Sequence, residues 1–440
     1  MQFFWGACLK TAKDADHPYA SPLRADTLRD VAPAMILTAE FDPLVDEGER
    51  YGERLRAAGV PTRTVRYDGL IHGFMSYLGR VDAARIAVAE CGTALTTRSR
   101  HNCVAVTPDS NKERKQGILR IGVVTEPLAN RPLVDVMDWL TREVAEATDL
   151  EIGTGGYAPT THCDMRALLH DPAARKAWLH EITTRGLRIG ALNVWGNPLH
   201  PDSQLGSKHD ADLRDTIRLA AALGVDRVVA LAGCPAGAPG DQTPHFSGGG
   251  WLPYLEDVYR AQWESSVEPY WSAIADFARR EHEELLICLE LHPGTVVYNV
   301  ESFNRLAGLG DAIAANIDPS HFFWMGMDAR AVVAALGARA GHCHGKDVVF
   351  SPDNLAINGL LDRRWPRPAE AMPWNFAVVG RGKDREWWTS FIADLAAGGR
   401  VHTIAIEHED PFVAPEAGIS EAAALLSSAV LESDSPAARP

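Results

Sequence analysis

From residue 118 to residue 432, the sequence alternates eight times between a short apolar run and a segment with helical spacing. Near-continuous apolar runs are typical of parallel strands that are buried on both faces. Eight strand–helix pairs over about 315 residues predict an α/β chain that folds as a (β/α)₈ TIM barrel. The predicted strands span 118–125, 150–153, 187–193, 227–233, 285–291, 312–318, 340–346 and 403–409. The predicted helices span 131–147, 164–184, 209–223, 255–284, 301–309, 327–337, 385–398 and 419–432.

The last four predicted strands each carry, near the carboxyl end, a side chain that can bind a metal. In a (β/α)₈ barrel these ends meet at one face, which is where catalytic residues stand. A single strand-end acid is more often a helix cap or an ion-pair partner, but four on consecutive strands predict one shared site. The four residues are Glu290, Asp318, His344 and Glu407.

Three carboxylates and one imidazole predict a site for a divalent cation, with Mn²⁺ favoured and Mg²⁺, Co²⁺ or Zn²⁺ as alternatives. Such a cation keeps positions open for the carbonyl and the neighbouring hydroxyl of a substrate. Chelation polarises the carbonyl and acidifies the adjacent C–H bond. A carboxylate on each side of that carbon can then remove and return a proton.

The stretches around these residues resemble the xylose-isomerase-like TIM barrels, the superfamily of sugar phosphate isomerases and epimerases, over about 118–432. They read ICLELHPG at 287–294, NIDPSHFFW at 316–324, HCHGKD at 342–347 and IEHEDP at 406–411. The resemblance implies a metal-dependent isomerase or epimerase that acts on a keto-sugar or sugar phosphate through an enediolate. It implies that Glu290 and Glu407 form the acid–base pair. It also implies that Asp318 and His344 complete the metal site and that His321 binds the substrate.

Other reaction classes remain open at the same site. A lyase or dehydratase acting on a keto-sugar or keto-glycoside would begin with the same proton removal. A phosphodiesterase like endonuclease IV shares the barrel, but its chemistry wants several metals and a basic groove, whereas the net charge here is -15. A barrel that binds without catalysis is a further alternative, and the absence of bound metal in the purified protein would favour it.

Several polar residues near the strand ends are further candidates. His342 is an alternative metal ligand, although His344 lies nearer the carboxyl end of the same predicted strand. Lys346 can neutralise an enediolate oxyanion or simply pair with Asp347. His292 can contact the substrate or satisfy a loop carbonyl.

Two loops add candidates for substrate binding. Asn193, Trp195 and His200 follow the third predicted strand, and His245 lies in the Gly/Pro-rich loop after the fourth. Their position favours contact with the substrate, although polar residues in loops are often only turn formers.

The return from the seventh predicted strand is unusually long, through residues 347–384. We expect this insertion to overhang the barrel mouth and to select the substrate. Within it, Trp374 can stack on a sugar face and Arg381 can recognise a charge. The alternative is that both residues only pack within the insertion.

Residues 1–96 have a different pattern, with predicted strands at 31–42 and 62–69 and predicted helices at 47–60 and near 81–96. A strand–helix–strand–helix order predicts a parallel α/β sheet. The predicted domains are therefore 1–96, a polar linker at 97–117, the barrel at 118–432 and a disordered tail at 433–440.

The first domain resembles the C-terminal third of the α/β-hydrolases related to hormone-sensitive lipase. The segments that carry the resemblance are DADHPYASPLRAD, ILTAEFDPLVDEGERYGERLRAAGVP and RYDGLIHGF. It implies that Asp42 and His72 correspond to the acid and base of a Ser–Asp–His triad. No Gly-x-Ser-x-Gly elbow occurs in the 440 residues, so we expect a truncated hydrolase fragment with a vestigial triad, from gene fusion or a misplaced start. Carboxylesterase activity through this fragment is the alternative.

The bulk properties limit the partners. The acidic balance lacks the basic footprint of a nucleic-acid-binding protein. No run has the length that spans a bilayer, and no basic region precedes the apolar start. Seven scattered cysteines without a Cys-x-x-Cys pair favour a reduced, cytoplasmic compartment. We expect a small carbohydrate as the partner, with a homo-oligomer left open.

Overall fold

The computed structural model describes residues 21–29, 31–76, 119–247, 252–361 and 371–433, together with the single positions 17, 83, 87 and 368. The chain divides into two compact units, residues 1–113 and residues 114–440. Nearly all of the predicted helix near 81–96, the whole linker 97–117 and residues 434–440 of the predicted tail lie outside the described residues, whereas Ser433 ends the last helix. The domain limits within these segments therefore stay predictions.

In the first unit, two parallel strands are joined by one helix. In chain order these are β1 (Ala34–Phe41), the helix Val45–Ala57 and β2 (Thr62–Ile71). Single-turn 3₁₀ helices lie at Pro22–Arg24 and Phe74–Ser76. The order of strand, helix and strand confirms the α/β pattern predicted for this segment.

The second unit contains a closed barrel of eight parallel strands, as predicted. Each strand pairs with its neighbours in the chain, and the last strand pairs with the first. The barrel strands are β3 (Arg120–Val124), β4 (Ala147–Gly153), β5 (Arg188–Val194), β6 (Arg227–Leu231), β7 (Leu286–Glu290), β8 (Ile313–Ile317), β9 (Ala340–Gly345) and β12 (Thr403–Ile406).

Helices connect the strands and cover the barrel. They span Leu133–Glu143, Met165–His170, Pro172–Thr183, Ser203–Leu223, Pro253–Gln262, Glu268–Glu281, Val300–Ala307, Pro319–Trp324, Ala329–Leu336, Arg385–Gly398 and Pro415–Ser433. A short 3₁₀ helix also follows β3 at Glu126–Leu128, and another precedes β9 at Gly337–Arg339. The helix Arg385–Gly398 has the predicted limits.

Two predicted helices are interrupted, and a proline lies at each interruption. The predicted helix 164–184 is two helices, because Pro172 has no N–H to donate and the Asp171 carboxylate caps the second helix by accepting from Ala173 N. The predicted helix 255–284 is divided by a π-helical turn at Trp263–Val267, which ends two residues before Pro269.

The insertion between β9 and β12 has its own hairpin. β10 (Asp347–Phe350) and β11 (Trp374–Ala377) pair antiparallel, and the helix Pro352–Asn358 follows β10. The hairpin register places Asp347 opposite Ala377 and Phe350 opposite Trp374. Since β10 begins two residues after β9 ends, the hairpin is fixed at the carboxyl end of the barrel.

At the amino-terminal end of the barrel, one buried acid on β4 contacts side chains of three other strands, β3, β5 and β12. Asp149 on β4 lies 3.0 Å from Arg120 Nε on β3 and 2.6 Å from Arg188 Nε on β5. It also accepts a 2.5 Å hydrogen bond from Thr403 Oγ1 on β12. This end of a (β/α)₈ barrel serves stability rather than catalysis.

Within the described part of the chain, no helix combines the length and the apolar character needed to cross a membrane. The described cysteines Cys163, Cys234, Cys288 and Cys343 are free and buried.

Candidate active site

The four residues predicted as metal ligands lie together at the carboxyl end of the barrel. Glu290 ends β7, Asp318 directly follows β8, His344 lies near the end of β9 and Glu407 directly follows β12. All four side chains are buried, and one ligand atom from each lies within 4.8 Å of all the others. The parallel strands therefore place three carboxylate oxygens and one imidazole nitrogen around one point.

Asp318 is held by a helix that was not predicted, Pro319–Trp324. Its Oδ1 atom caps this helix by accepting hydrogen bonds from Ser320 N at 2.9 Å and Ser320 Oγ at 2.7 Å. Pro319 at the first turn suits the cap, because its missing N–H would have no partner there. Oδ2 of Asp318 is left to face the site, 3.4 Å from His321 Nε2.

His321 lies on the same short helix and contacts the first glutamate. Its Nε2 atom is 2.9 Å from Glu290 Oε1. Its Nδ1 atom is buried and has no hydrogen-bond partner among the described residues. One ring nitrogen is thus engaged with Glu290, and the other can bind a group of the substrate.

Lys346 supplies the positive charge between the carboxylates. Its Nζ atom lies 2.6 Å from Glu407 Oε2, 2.9 Å from Asp318 Oδ2 and 2.9 Å from Glu409 Oε2. The alternative pairing of Lys346 with Asp347 is not found. The Asp347 carboxylate instead accepts backbone N–H groups, including those of Gly380 and Lys383, and so anchors the insertion.

The two histidines of β9 point to the same side of the strand but have different neighbours. His344 Nδ1 lies 3.2 Å from Glu407 Oε2 and 3.4 Å from Glu290 Oε2, so His344 is the one in the four-ligand cluster. His342 Nε2 lies instead 2.7 Å from Glu151 Oε2. His344 Nε2 is 3.1 Å from Glu151 Oε1. Glu151 therefore holds both imidazoles.

The two candidate acid–base residues have pKa values that are shifted in opposite directions. Burial raises the pKa of Glu407 to about 7, against the lowering effect of Lys346 and His344. Burial also acts to raise the pKa of Glu290, but hydrogen bonds from His321 and His344 outweigh it and lower that pKa well below its usual value. A bound cation would favour the ionised form of both carboxylates.

A third glutamate completes the acidic surroundings. Burial and the nearby charges of Glu407, Glu409 and Glu151 raise the pKa of Glu126 to about 7. Its Oε2 atom is buried without a hydrogen-bond partner among the described residues. Crowded carboxylates of this kind repel one another unless protons or cations compensate them.

The donor set fits a divalent cation on three grounds. The four ligand atoms lie close enough together to share one ion, three are the oxygens that hard cations prefer, and the imidazole accommodates Mn²⁺, Co²⁺ or Zn²⁺. Lys346 already contacts two of the four candidate ligands, Asp318 and Glu407, which indicates that these carboxylates need a compensating positive charge. His344 would have to give up its proton to become a ligand.

An apolar cavity of about 890 Å³ opens beside the cluster. Its wall is largely aromatic, with a few polar groups close to the cluster. The residues that line it are Phe246, His292, Pro293, Gly294, His321, Trp324, Leu361, Met372, Trp374, Phe376 and Glu409. The insertion contributes Leu361, Met372, Trp374 and Phe376, as its expected position over the barrel mouth requires.

Only part of the predicted substrate-binding set lies at this cavity or cluster. His292 and Trp374 line the cavity, although His292 Nδ1 also contacts the Pro293 carbonyl at 2.6 Å. Asn193 is buried beside the cluster and donates to Glu151 Oε1 at 2.5 Å. The ring of Trp195 lies 6.1 Å from that of His344.

Three predicted contacts lie elsewhere. His200 Nδ1 accepts from Asp202 N at 3.0 Å, which makes it a turn former. His245 packs against Gly237 in the loop after β6 and does not line the cavity beside the cluster. Arg381 forms ion pairs with Glu421 at 2.8 Å and Asp410 at 3.7 Å, so its guanidinium recognises this chain's own acids.

Sequence reasoning missed Glu151, Glu126 and Asn316. Glu151 lies in LEIG and Glu126 directly follows the run IGVVT, so both are strand-end acids that the same rule could have found. Asn316 lies inside β8, where its Nδ2 atom is 3.3 Å from Glu290 Oε2 and 3.2 Å from His344 Nδ1. Only the inward alternation of β8 distinguishes Asn316 from a packing residue.

In the first unit, the structure brings together Asp42 and His72, the predicted acid and base of a triad. His72 Nδ1 lies 2.9 Å from Asp42 Oδ2, and Asp42 Oδ1 accepts from Leu44 N at 2.8 Å. The His72 side chain is 66% exposed. The predicted acid and base of a hydrolase triad are therefore in contact, and no Gly-x-Ser-x-Gly elbow occurs in the 440 residues.

Comparisons with known proteins match both segments. Residues 150–429 match the family described as xylose isomerase-like TIM barrel, and residues 1–76 match the α/β hydrolase fold. The uncharacterized protein YfiH of Bacillus subtilis (strain 168) is 34% identical over 304 residues, which cover 68% of this chain and 96% of that protein.

Two further comparisons concern one segment each. Esterase LipI of Mycobacterium tuberculosis (strain ATCC 25618 / H37Rv) is 50% identical over 64 residues, so this chain spans 20% of its length, and the match covers 14% of this chain. The crystal structure of the IOLI protein with a binding zinc atom matches with a TM-score of 0.48 and 18% identity. That match covers 72% of this chain and all of that one, 100%.

Proposed function

This chain belongs to the family of xylose isomerase-like TIM barrels, and from that premise we propose that it is a divalent-metal-dependent isomerase or epimerase of a keto-sugar or sugar phosphate. The observation that carries the proposal is the burial of Glu290, Asp318, His344 and Glu407 around one point at the carboxyl ends of four consecutive barrel strands. That is the face at which barrels of this kind hold their catalytic residues.

In this proposal the four side chains hold one divalent cation, with Mn²⁺ favoured over Mg²⁺, Co²⁺ and Zn²⁺. When bound, the cation polarises the carbonyl of an α-hydroxyketone and acidifies the neighbouring C–H bond. Glu151 keeps His344 oriented, because it contacts Nε2 and so directs Nδ1 toward the carboxylates. Such outer contacts commonly fix how an imidazole ligand faces its metal.

Glu290 and Glu407 move the proton. They stand on β7 and directly after β12, which β8 and β9 separate in the barrel, so we propose that one removes the proton and the other returns it. Lys346 stabilises the oxyanion that develops on the substrate as its enediolate forms. His321 supports Glu290 through Nε2 and offers Nδ1 to a substrate hydroxyl.

Replacement of either glutamate tests the proposal. Glu290→Gln and Glu407→Gln keep the side-chain size and remove the proton-accepting charge, so each should reduce turnover of a keto-sugar by at least about a hundredfold. The folded state is checked by circular dichroism and thermal unfolding. Glu416→Gln is the control, since Glu416 pairs with Arg131 at 3.3 Å outside the cavity lining. Full turnover in either of the first two variants would contradict the proposal.

A lyase is the second candidate, and the cavity favours it. A space of about 890 Å³ beside the acid–base pair can hold a group that leaves after proton removal. Mass spectrometry of the product separates the two reactions. An unchanged mass identifies isomerisation, whereas loss of water or of a larger group identifies elimination.

A further inference from the structure

The cavity beside the cluster is larger and more apolar than a sugar ring alone requires. Its volume of about 890 Å³ is near the upper end of the range of roughly 300–1,000 Å³ typical of pockets for drug-sized ligands. Carbohydrates need hydrogen-bonding partners over most of their surface, and such partners are scarce in this cavity. Most of the described side chains that line it are apolar or aromatic.

The aromatic side chains of the cavity wall form a row of rings in contact. The ring of His321, which contacts Glu290, meets Phe376 edge to face with centroids 5.6 Å apart. Phe376 in turn meets Trp374 at 5.4 Å. Trp374 stacks on Trp324 with centroids 4.8 Å apart and an interplanar angle of 6°. The wall therefore runs from the candidate acid–base residue to a pair of parallel indoles.

The indole pair is fixed in place. Trp374 Nε1 donates to the Leu360 carbonyl at 2.9 Å, so its polar edge is satisfied within the protein, and one face of its ring is stacked on Trp324. Trp374 lies on β11, where it pairs with Phe350 of β10 in the antiparallel hairpin. A fixed pair of parallel rings presents a flat apolar surface, which favours a flat apolar partner.

The charges at the cavity also favour an uncharged substituent over a phosphate. Glu409 lines it, and the nearest lysine, Lys346, already contacts three carboxylates. Among the described residues, no arginine or lysine lines the cavity, so a phosphate dianion would meet Glu409 without a free cation. Arg363, Arg364 and Arg367 lie outside the described residues, and the phosphate arm of the experiment below tests them.

From these observations we propose that the substrate is a sugar that carries a flat apolar substituent, as an aryl glycoside does, with the sugar at Glu290 and the substituent against Trp374. This inference rests on the proposed function, because it places the reacting sugar at the candidate metal site. It narrows the substrate class from keto-sugars and sugar phosphates in general to keto-glycosides with an aromatic aglycone.

Calorimetric titration of the full chain tests the inference without requiring turnover. The probes are the phenyl and methyl β-glycosides of glucose, galactose and xylose, and glucose 6-phosphate, each with added Mn²⁺. We expect at least one phenyl glycoside to bind about five- to tenfold more tightly than its methyl counterpart, as stacking on an aromatic pair allows. Equal affinities within all three pairs, or tighter binding of glucose 6-phosphate than of every phenyl glycoside, would overturn the proposal.

Variants locate the effect. Trp374→Ala should weaken phenyl glycoside binding more than methyl glycoside binding and so remove most of the phenyl preference, and Trp374→Phe, which retains a ring, should keep part of it. Tyr254→Ala is the matched control, since Tyr254 is an exposed aromatic residue outside the cavity lining. Circular dichroism verifies folding, and if Trp374→Ala is unfolded, Trp374→Phe decides. A folded Trp374→Ala protein with the full phenyl preference would contradict the placement.

The binding and turnover experiments together distinguish failure of this inference from failure of the proposed function. If phenyl glycosides bind preferentially but the Glu290 and Glu407 variants retain full turnover, the proposed function fails and only the preference of the cavity for an aromatic substituent stands. If turnover of a simple keto-sugar needs both glutamates but no phenyl preference appears, the proposed function stands and the substrate inference fails.

Discussion

The ammonium nitrogen of Lys346 lies 2.6 Å from Oε2 of Glu407. It also lies 2.9 Å from Oδ2 of Asp318, so two of the four candidate ligands share one built-in cation. Both carboxylates and the lysine are almost fully buried, and a buried charge is costly unless it is paired. Lys346 therefore stabilises the ligand set of this chain when no other cation does.

Removal of that ammonium should make the fold depend on metal. In Lys346→Met, the buried carboxylates lose their partner, so we expect the protein in EDTA to lose roughly 3–5 kcal/mol of unfolding free energy. Added Mn²⁺ should restore more stability to the variant than to the wild type. The measurement is thermal unfolding with EDTA or Mn²⁺. Lys208→Met, which breaks an exposed pair with Asp212, is the control, and unfolding of Lys346→Met that is insensitive to both additives would contradict the prediction.

Glu151 should act as a positioning residue for His344. Glu151→Gln removes the charge that holds both imidazoles of β9, and loss of such a contact typically lowers metal affinity about 10–100-fold. Calorimetric titration with Mn²⁺ measures the effect, and Glu151→Asp should recover part of the affinity. Glu416→Gln should bind Mn²⁺ like the wild type. Unaltered affinity in Glu151→Gln would show that His344 needs no such support.

The buried acid at the opposite end of the barrel predicts a pH dependence of stability. Burial acts to raise the pKa of Asp149, but hydrogen bonds from Thr403 and Arg188 and the charge of Arg120 outweigh it, so its net pKa is lowered. A lowered pKa stabilises the fold above the unfolded-state pKa of about 3.9, and this stabilisation is lost as the pH falls through the lower folded-state value.

Asp149→Asn should lack that stabilisation at every pH. We expect a loss of roughly 3 kcal/mol at pH 7, at the low end for a broken buried pair because both arginines are partly exposed. Denaturant unfolding between pH 7 and pH 3 measures it, and the gap between variant and wild type should narrow in acid. A constant gap across this range would exclude Asp149 as its source.

The hydrolase fragment should show no esterase activity of its own. His72 is 2.9 Å from Asp42, but the 440 residues contain no Gly-x-Ser-x-Gly elbow, and the serine of that elbow is the nucleophile of such a triad. A lone imidazole can cleave activated p-nitrophenyl esters, so the test uses an unactivated alkyl ester, whose hydrolysis by the wild type should equal that by His72→Ala. Faster hydrolysis by the wild type would support the alternative hypothesis of a carboxylesterase.

The barrel and its four-ligand cluster could be predicted because both depend on local patterns. Apolar runs define buried strands, and parallel strands bring their carboxyl ends to one face, so the neighbours of Glu290 and Glu407 follow from topology. The breaks at Pro172 and Pro269 follow from the missing proline N–H, which the helical spacing concealed.

The side-chain partners could not be read from the sequence. Lys346 has Asp347 beside it in the chain, yet it pairs with Asp318, Glu407 and Glu409, which only the closed barrel brings near. Arg381 pairs with Glu421 for the same reason. Polar contacts over long sequence separations depend on rotamers and packing, whereas strand order depends on pattern alone.

Closure of the barrel at Asp149 has a consequence for biosynthesis. Thr403, which donates to Asp149, lies 254 residues later in the chain, and Glu407 follows only four residues after it. Long-range strand pairing forms late, because the loop entropy must be overcome before its contacts form. During synthesis on the ribosome, Asp149 therefore cannot accept the hydrogen bond from Thr403 until the last strand has emerged. The same step delivers the fourth ligand, so the nascent chain cannot assemble its complete ligand set before the barrel closes.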